Sequence, residues 1–239
     1  MEYEKDDGYY ACERGDILSL LDLRDGIKVL DVGCGHGGAG KLLKTSFKAE
    51  VHGIEINKSA ADKARLLYDS VINANVEQDG FYFEAGYFDF IICADVLEHL
   101  ADPWRTLRRL RTYLKNNGVL AASIPNIRNA SVIIQLLDGS FDYQEFGVLD
   151  DTHLRFFTYR SSIGLFERSG FKVVNIIRKG NRNISDLKQI INIWQHDRVA
   201  DMASALIKKI SGTDTRLEND FLQDMLTIQF LITATKQQA

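Results

Sequence analysis

An apolar segment runs into a cluster of glycines at Val29-Leu-Asp31-Val-Gly33-Cys-Gly35-His-Gly37-Gly38. Glycine turns the backbone tightly and lets it approach a ligand with no Cβ in the way. Gly33, Gly35 and Gly38 follow the spacing G-x-G-x-x-G, and a helix behind such a loop offers unpaired N–H groups. Glu55 stands 22 residues after Gly33, at the end of a second apolar segment. A carboxylate there accepts both hydroxyls of a ribose, so the pair reads as a site for a nucleoside-bearing cofactor. Asp31, two residues before the first glycine, suits an amino group and repels a pyrophosphate. Two histidines are placed to move a proton. His99 follows the apolar run Phe88-Asp-Phe-Ile-Ile-Cys93, and His153 lies in Asp150-Asp151-Thr152-His153-Leu-Arg155-Phe-Phe-Thr. A carboxylate beside an imidazole orients it and stabilises its charged form, so His153 with Asp151 ranks just ahead of His99 as general base. Arg155 is placed to meet an anionic or hydroxyl-rich molecule, or to pair with Asp150 or Asp151. Glu98 reads as a cap or supporting acid, His36 and His52 as structural, and His196 as a surface residue.

These groups need elements to hold them. Strand-like and helix-like segments alternate along the chain, which argues for helices packed on a mostly parallel sheet, an α/β fold. Strands are predicted at 27–32, 50–54, 71–74, 88–93, 119–124, 171–177 and 221–235. That is about seven, the size of one open sheet. Asn57 and Asp102-Pro103 are helix starts. The chain reads as one domain over 1–239, with a long active-site connection at 126–157 and a helical insertion at 180–220 whose apolar stripes leave a homodimer open.

With 239 residues, 45% of them hydrophobic and 26% charged, the composition is that of a globular protein. A formal net charge of -4 disfavours nucleic acid as a partner. No apolar run approaches the ~18 residues of a membrane span, and the charged start Met1-Glu-Tyr-Glu-Lys-Asp-Asp is unlike a secretory signal. Cys12, Cys34 and Cys93 are an odd, scattered set, expected as free thiols of a cytoplasmic protein. No metal-ligand spacing stands out, and no metal is expected.

Asp31-Val-Gly-Cys-Gly-His-Gly resembles the first motif of class I S-adenosylmethionine-dependent methyltransferases. Ile54-Glu55 resembles their second, Phe88-Asp89-Phe-Ile-Ile-Cys-Ala-Asp95-Val-Leu-Glu98-His99-Leu their fourth-strand motif, and Leu114-Lys-Asn-Asn-Gly118-Val-Leu their turn into strand five. The resemblance covers residues 9 to 178 in order. It implies a Rossmann-like sheet of order 3-2-1-4-5-7-6 with the last strand antiparallel, and S-adenosylmethionine as cofactor, leaving S-adenosylhomocysteine. It implies that Gly33 and Gly35 pack on the methionine part, that Glu55 holds the ribose and that Ile56 covers the adenine. Asn75 and Val76 would sit at the adenine edge. Asp31, Asp95, Tyr10 and Arg14 would surround the amino-acid end, Arg14 pairing with the cofactor carboxylate. Pro125-Asn126 would lie at the substrate mouth. The segment Thr152-His-Leu-Arg-Phe-Phe-Thr158 resembles a subgroup found in surface-polysaccharide biosynthesis. The first expectation for the acceptor is therefore a sugar or saccharide hydroxyl, with a phenol or quinone precursor as the nearest rival. A non-catalytic cofactor-binding module and a nicotinamide-dependent oxidoreductase are the rivals from other classes.

Overall fold

A computed structural model describes residues 9–78, 80–180 and 223–237. Seven strands form one sheet: β1 (Lys28–Val32), β2 (Glu50–Glu55), β3 (Ser70–Asn73), β4 (Phe88–Ala94), β5 (Leu114–Pro125), β6 (Phe171–Gly180) and β7 (Thr227–Lys236). The spatial order is β3-β2-β1-β4-β5-β7-β6. The first five strands run parallel, and β7 is antiparallel to both β5 and β6. Fold class, strand order and the reversed last strand are as the sequence implies. The helices are α1 (Gly15–Leu18), α2 (Gly38–Phe47), α3 (Lys58–Ala64), α4 (Pro103–Tyr113), α5 (Ala130–Asp138) and α6 (Tyr159–Glu167). The helical insertion expected at 180–220 and His196 fall, past Gly180, outside the described residues. Among the described residues no helix is long and apolar enough to cross a membrane.

The central strands are apolar throughout because both sheet faces are covered. Along β4, Ile91 and Cys93 join the core beneath α4 and α6, while Phe90 and Ile92 join the core beneath α1, α2 and α3. This is the period of two along a strand. The same alternation puts Asp31 on the face of Val29, toward α2 and α3. Asn57 and Asp102 cap α3 and α4 as their types predict, accepting the N–H of Ala60 and of Arg105, each at 2.9 Å. Two boundaries differ from their predictions: the last strand, expected from 221, begins at Thr227 after helical residues at 223–226, and the turn into strand five is displaced. Asn116-Asn117-Gly118 does not stand between helix and strand; β5 begins at Leu114 and carries these residues past a register shift against β4.

Tyr68, buried between α2 and β2, fills a notch that only glycines leave open. A Cβ on Gly40 would come within 2.0 Å of its ring, and one on Gly53 within 3.1 Å. Gly40→Ala is therefore expected to lower stability in chemical denaturation by about 1–3 kcal/mol, the usual cost of overpacking. That loss would come despite the ~1 kcal/mol alanine gains within a helix. An unchanged midpoint would remove the packing role given to Tyr68.

Candidate functional site

The carboxyl ends of β1, β2 and β4 open into a cavity of about 1150 Å³. Its wall includes Tyr10, Arg14, Asp31, Gly33, Gly35, Glu55, Ile56, Asn75, Val76, Asp95 and His99, so most of the expected site residues meet in one place. Gly33, Gly35 and Gly37 all have left-handed backbones, with φ of 69°, 52° and 87°. A Cβ on Gly35 would strike the Tyr10 carbonyl at 2.6 Å, because the N-terminal segment lies directly on the loop: the His36 N–H donates to that carbonyl at 2.9 Å.

Glu55 is 4% exposed. One of its oxygens accepts the Gly35 N–H at 2.9 Å and the other the Asn57 N–H at 2.8 Å. An ionised carboxylate has about four lone-pair sites, so both oxygens retain capacity for a diol. Asn73, which the sequence reading passed over, donates its amide to the carbonyls of Glu55 and Ile56, each at 2.9 Å, and so fixes the direction of this turn. Ile56 follows with its side chain turned outward, 58% exposed. Asn75 folds back on itself, accepting the Glu77 N–H at 2.8 Å.

Asp31 is also 4% exposed. The Tyr68 hydroxyl donates to it at 2.6 Å and accepts the Gly40 N–H at 3.0 Å. Burial pushes the Asp31 carboxyl up to about 7 against that hydrogen bond, and the Glu55 charge adds to the rise. Tyr68 is a second residue that sequence reasoning missed. Its only signal was Gly40, a glycine inside a helix, where packing is the usual reason for one.

At the far end, Arg14 meets Asp95 and Asp16 rather than standing open. Its guanidinium donates to both carboxylates and, at 3.1 Å, to the Ser123 hydroxyl. Asp95 has a left-handed backbone, φ 55°. It is held there by its own N–H to Ser123 Oγ at 2.8 Å, by the Ser123 hydroxyl at 2.8 Å and by the Gln229 amide.

The histidines separate. His99 lies on the cavity wall with Thr152 and Leu154. His153 is outside that wall, buried behind it at 4.7 Å between ring centroids, with Nδ1 on the Val148 carbonyl at 3.0 Å. Burial lowers the His99 imidazole from its ordinary value, and the neighbouring His153 lowers it further. The Glu98 carboxyl comes within 4.8 Å of both imidazoles. Neither of its oxygens has a hydrogen-bond partner, and burial, with the Asp95 charge adding, holds it well above the carboxylate range. The Glu98 carbonyl accepts the N–H groups of Leu154 and Arg155, each at 2.9 Å, which pins the 126–157 connection to the strand end.

Three expectations change here. Asp151 is exposed, and the buried Asp150, one residue earlier, reaches the His99 imidazole through the Thr152 hydroxyl. Arg155 points to the Ala101 carbonyl and the Trp104 ring rather than into the cavity. Asn126 is fully buried as an anchor, donating to the carbonyls of Asp224 and Thr227, so it does not line a substrate mouth. Each was misjudged for one reason: neighbours in sequence on an irregular segment point in unrelated directions, with no period to sort them. Cys34 and Cys93 are buried and Cys12 exposed, all three as free thiols.

A family model described as a methyltransferase domain matches residues 3–176. The ubiquinone biosynthesis O-methyltransferase of Acinetobacter baylyi is 31% identical over 140 residues, which are 51% of this chain and 57% of that protein. The chain thus spans little more than half the length of this relative. A SAM-dependent methyltransferase from Archaeoglobus fulgidus superposes with a TM-score of 0.62 at 17% identity, over 96% of this chain and 94% of the other. The [4+2]-cyclase SpnF superposes equally well, TM-score 0.61 at 17% identity over 98% and 82%. The fold is therefore shared by proteins named for different reactions, and the site residues must carry the argument.

A folded pKa near 7 for Asp31, against about 3.9 unfolded, means that the folded protein binds the extra proton. Its contribution to stability is complete below about pH 4 and is lost as pH rises through 7, at up to about 1.4 kcal/mol per unit. Asp31→Asn should remove this slope. Denaturation of wild type and variant between pH 5 and 8 measures it, and parallel curves would contradict the buried acid.

Proposed function

The chain belongs to the S-adenosylmethionine-dependent methyltransferase domain family, and we propose that it methylates a hydroxyl of a small phenol- or quinone-type acceptor. The residues present fit the cofactor. Glycine at 33 and 35 lets the loop backbone lie bare on the cavity wall, where a Cβ would strike Val96 at 2.7 Å or the Tyr10 carbonyl at 2.6 Å. The donor set around it is acidic, with Asp31, Glu55 and Asp95, which suits a diol and an ammonium and disfavours the pyrophosphate of a nicotinamide dinucleotide. The single observation that carries the reading is Glu55: a buried carboxylate at the end of β2, fixed by two loop N–H groups and still able to accept a ribose diol.

S-adenosylmethionine supplies a methyl group activated on a sulfonium. Glu55 would hold the ribose, and Ile56 would cover one adenine face, with Asn75 and Val76 at its edge. Asp31 would take the amino group, while Tyr10, Arg14 and Asp95 would close the amino-acid end. Alignment of donor and acceptor is the protein's main task. An alcohol or phenol also has to lose its proton, and His99, the imidazole on the cavity wall, is assigned to receive it. His153 stands behind His99 and supports it.

A phenolic acceptor is favoured over a saccharide on three grounds. The wall beside His99 is formed by the apolar side chains of Val96, Leu100 and Leu154, which suit a flat ring. The relative from A. baylyi is named for ubiquinone biosynthesis. Arg155, which a saccharide would have used, is bonded to the Ala101 carbonyl.

Calorimetry with S-adenosylmethionine is expected to show that Glu55→Gln weakens binding roughly tenfold or more, as losing a charged hydrogen-bond acceptor does, while the melting curve shows a folded protein. Wild-type affinity would remove the ribose assignment. His99→Ala should cut turnover of a catechol acceptor by about a hundredfold or more with cofactor affinity intact.

A further inference from the structure

We propose that Asp150, acting through the Thr152 hydroxyl, is the positioning residue that fixes His99 with its proton on Nδ1 and its lone pair on Nε2. The proposal rests on His99 as the base and names what prepares it.

Two atoms face His99 Nδ1: the Thr152 carbonyl oxygen at 3.2 Å and the Thr152 Oγ1 at 3.0 Å. The carbonyl only accepts. The hydroxyl can donate or accept, but its proton is already committed, because it donates to Asp150 Oδ1 at 2.6 Å. The same carboxylate oxygen accepts the Thr152 N–H at 2.9 Å, which locks residue 152 onto it. Both atoms before Nδ1 are therefore acceptors, and Nδ1 must carry the hydrogen. Nε2 is left with the lone pair, the form a base needs.

Asp150 is 3% exposed, so its charge is little screened. It lies one hydroxyl away from the imidazole, the relation of a carboxylate to a general-base histidine with a threonine interposed. When a proton passes from the acceptor oxygen to Nε2, the C–O bond forms and the donor's C–S bond breaks. The imidazolium then holds that proton until solvent removes it. Asp150 and Asp95 favour the charged ring; burial and His153 oppose it, and Glu98 stands beside both imidazoles with burial holding its carboxyl well above the carboxylate range. Removing the Asp150 carboxylate frees the Thr152 hydroxyl to rotate and donate to Nδ1 in competition with the bond from Nδ1–H to the Thr152 carbonyl, so the Nε2–H form becomes populated and that fraction has no base.

The experiment is nitrogen-15 NMR of the histidine rings in the full chain, paired with pH profiles of kcat. Wild-type His99 is expected as the Nδ1–H form. In Asp150→Ala its titration should move to lower pH, a mixed tautomer should appear, and kcat should fall by about tenfold or more with the acidic limb displaced to lower pH and KM little changed. Thr152→Val, which leaves the backbone carbonyl as the acceptor before Nδ1, should keep the Nδ1–H form while the titration and the acidic limb still move to lower pH, and Thr152→Ser should restore the wild-type profile. A wild-type Nε2–H form, or an unchanged His99 titration and profile in Asp150→Ala, overturns the relay while leaving the base assignment intact. Full turnover in His99→Ala overturns the base assignment itself. Turnover abolished by a chelator and restored by zinc also overturns the proposal, because a cation among Glu98, His99 and His153 would occupy the Nε2 lone pair.

Discussion

Two carboxylates buried side by side at the ends of neighbouring parallel strands set the terms for the rest of the site. Asp31 and Glu55 each have 4% of their surface exposed, and burying such groups is costly unless hydrogen bonds replace water. The structure answers with backbone. Gly35 and Asn57 turn their N–H groups onto Glu55, and Tyr68 turns its hydroxyl onto Asp31. Each answer imposes a further condition. The loop must bend through left-handed conformations, which requires glycine at 33, 35 and 37. Tyr68 must reach across α2, which requires glycine at 40 and 53. The glycines thus serve both the backbone turns at the cavity wall and the two acids beneath them.

The second half of the site depends on a tether. The 126–157 connection leaves the sheet at Asn126 and returns beside it, where the Ile127 N–H meets the Phe157 carbonyl. Its later part is drawn over the end of β4 by the Glu98 carbonyl. That contact sets Thr152 against His99 and gives the cavity its apolar wall at Leu154. The single helical turn Leu97–His99, which follows β4, thus carries the imidazole, and an irregular segment supplies what tunes it.

The glycine loop, Glu55 and the turn after β4 were legible because they sit where regular elements end. A strand has a period of two, and its last residue is fixed in direction once the buried face is known. The placement of Ile56 and Asp95 on the same wall follows from that. The connection was legible only as a segment rich in polar chemistry. Residue types there rank Asp151 and His153 first, but without a repeating period nothing in them says which side chain turns toward the cavity. Tyr68 escaped notice because its partner Asp31 lies 37 residues away and no local pattern links them.

By itself the sequence determined the order of elements, the two-sided sheet and the nucleoside-type pocket at its carboxyl edge. Those follow from local periodicity and from glycines that only one backbone conformation explains. Tertiary structure alone decided which imidazole faces the cavity, which acid stands behind it, and that Arg14 and Arg155 spend their charge on Asp95, Asp16 and a carbonyl. Such choices are made by contacts between segments far apart in the chain, where the free energy depends on distances of an ångström or less and residue type carries no direction.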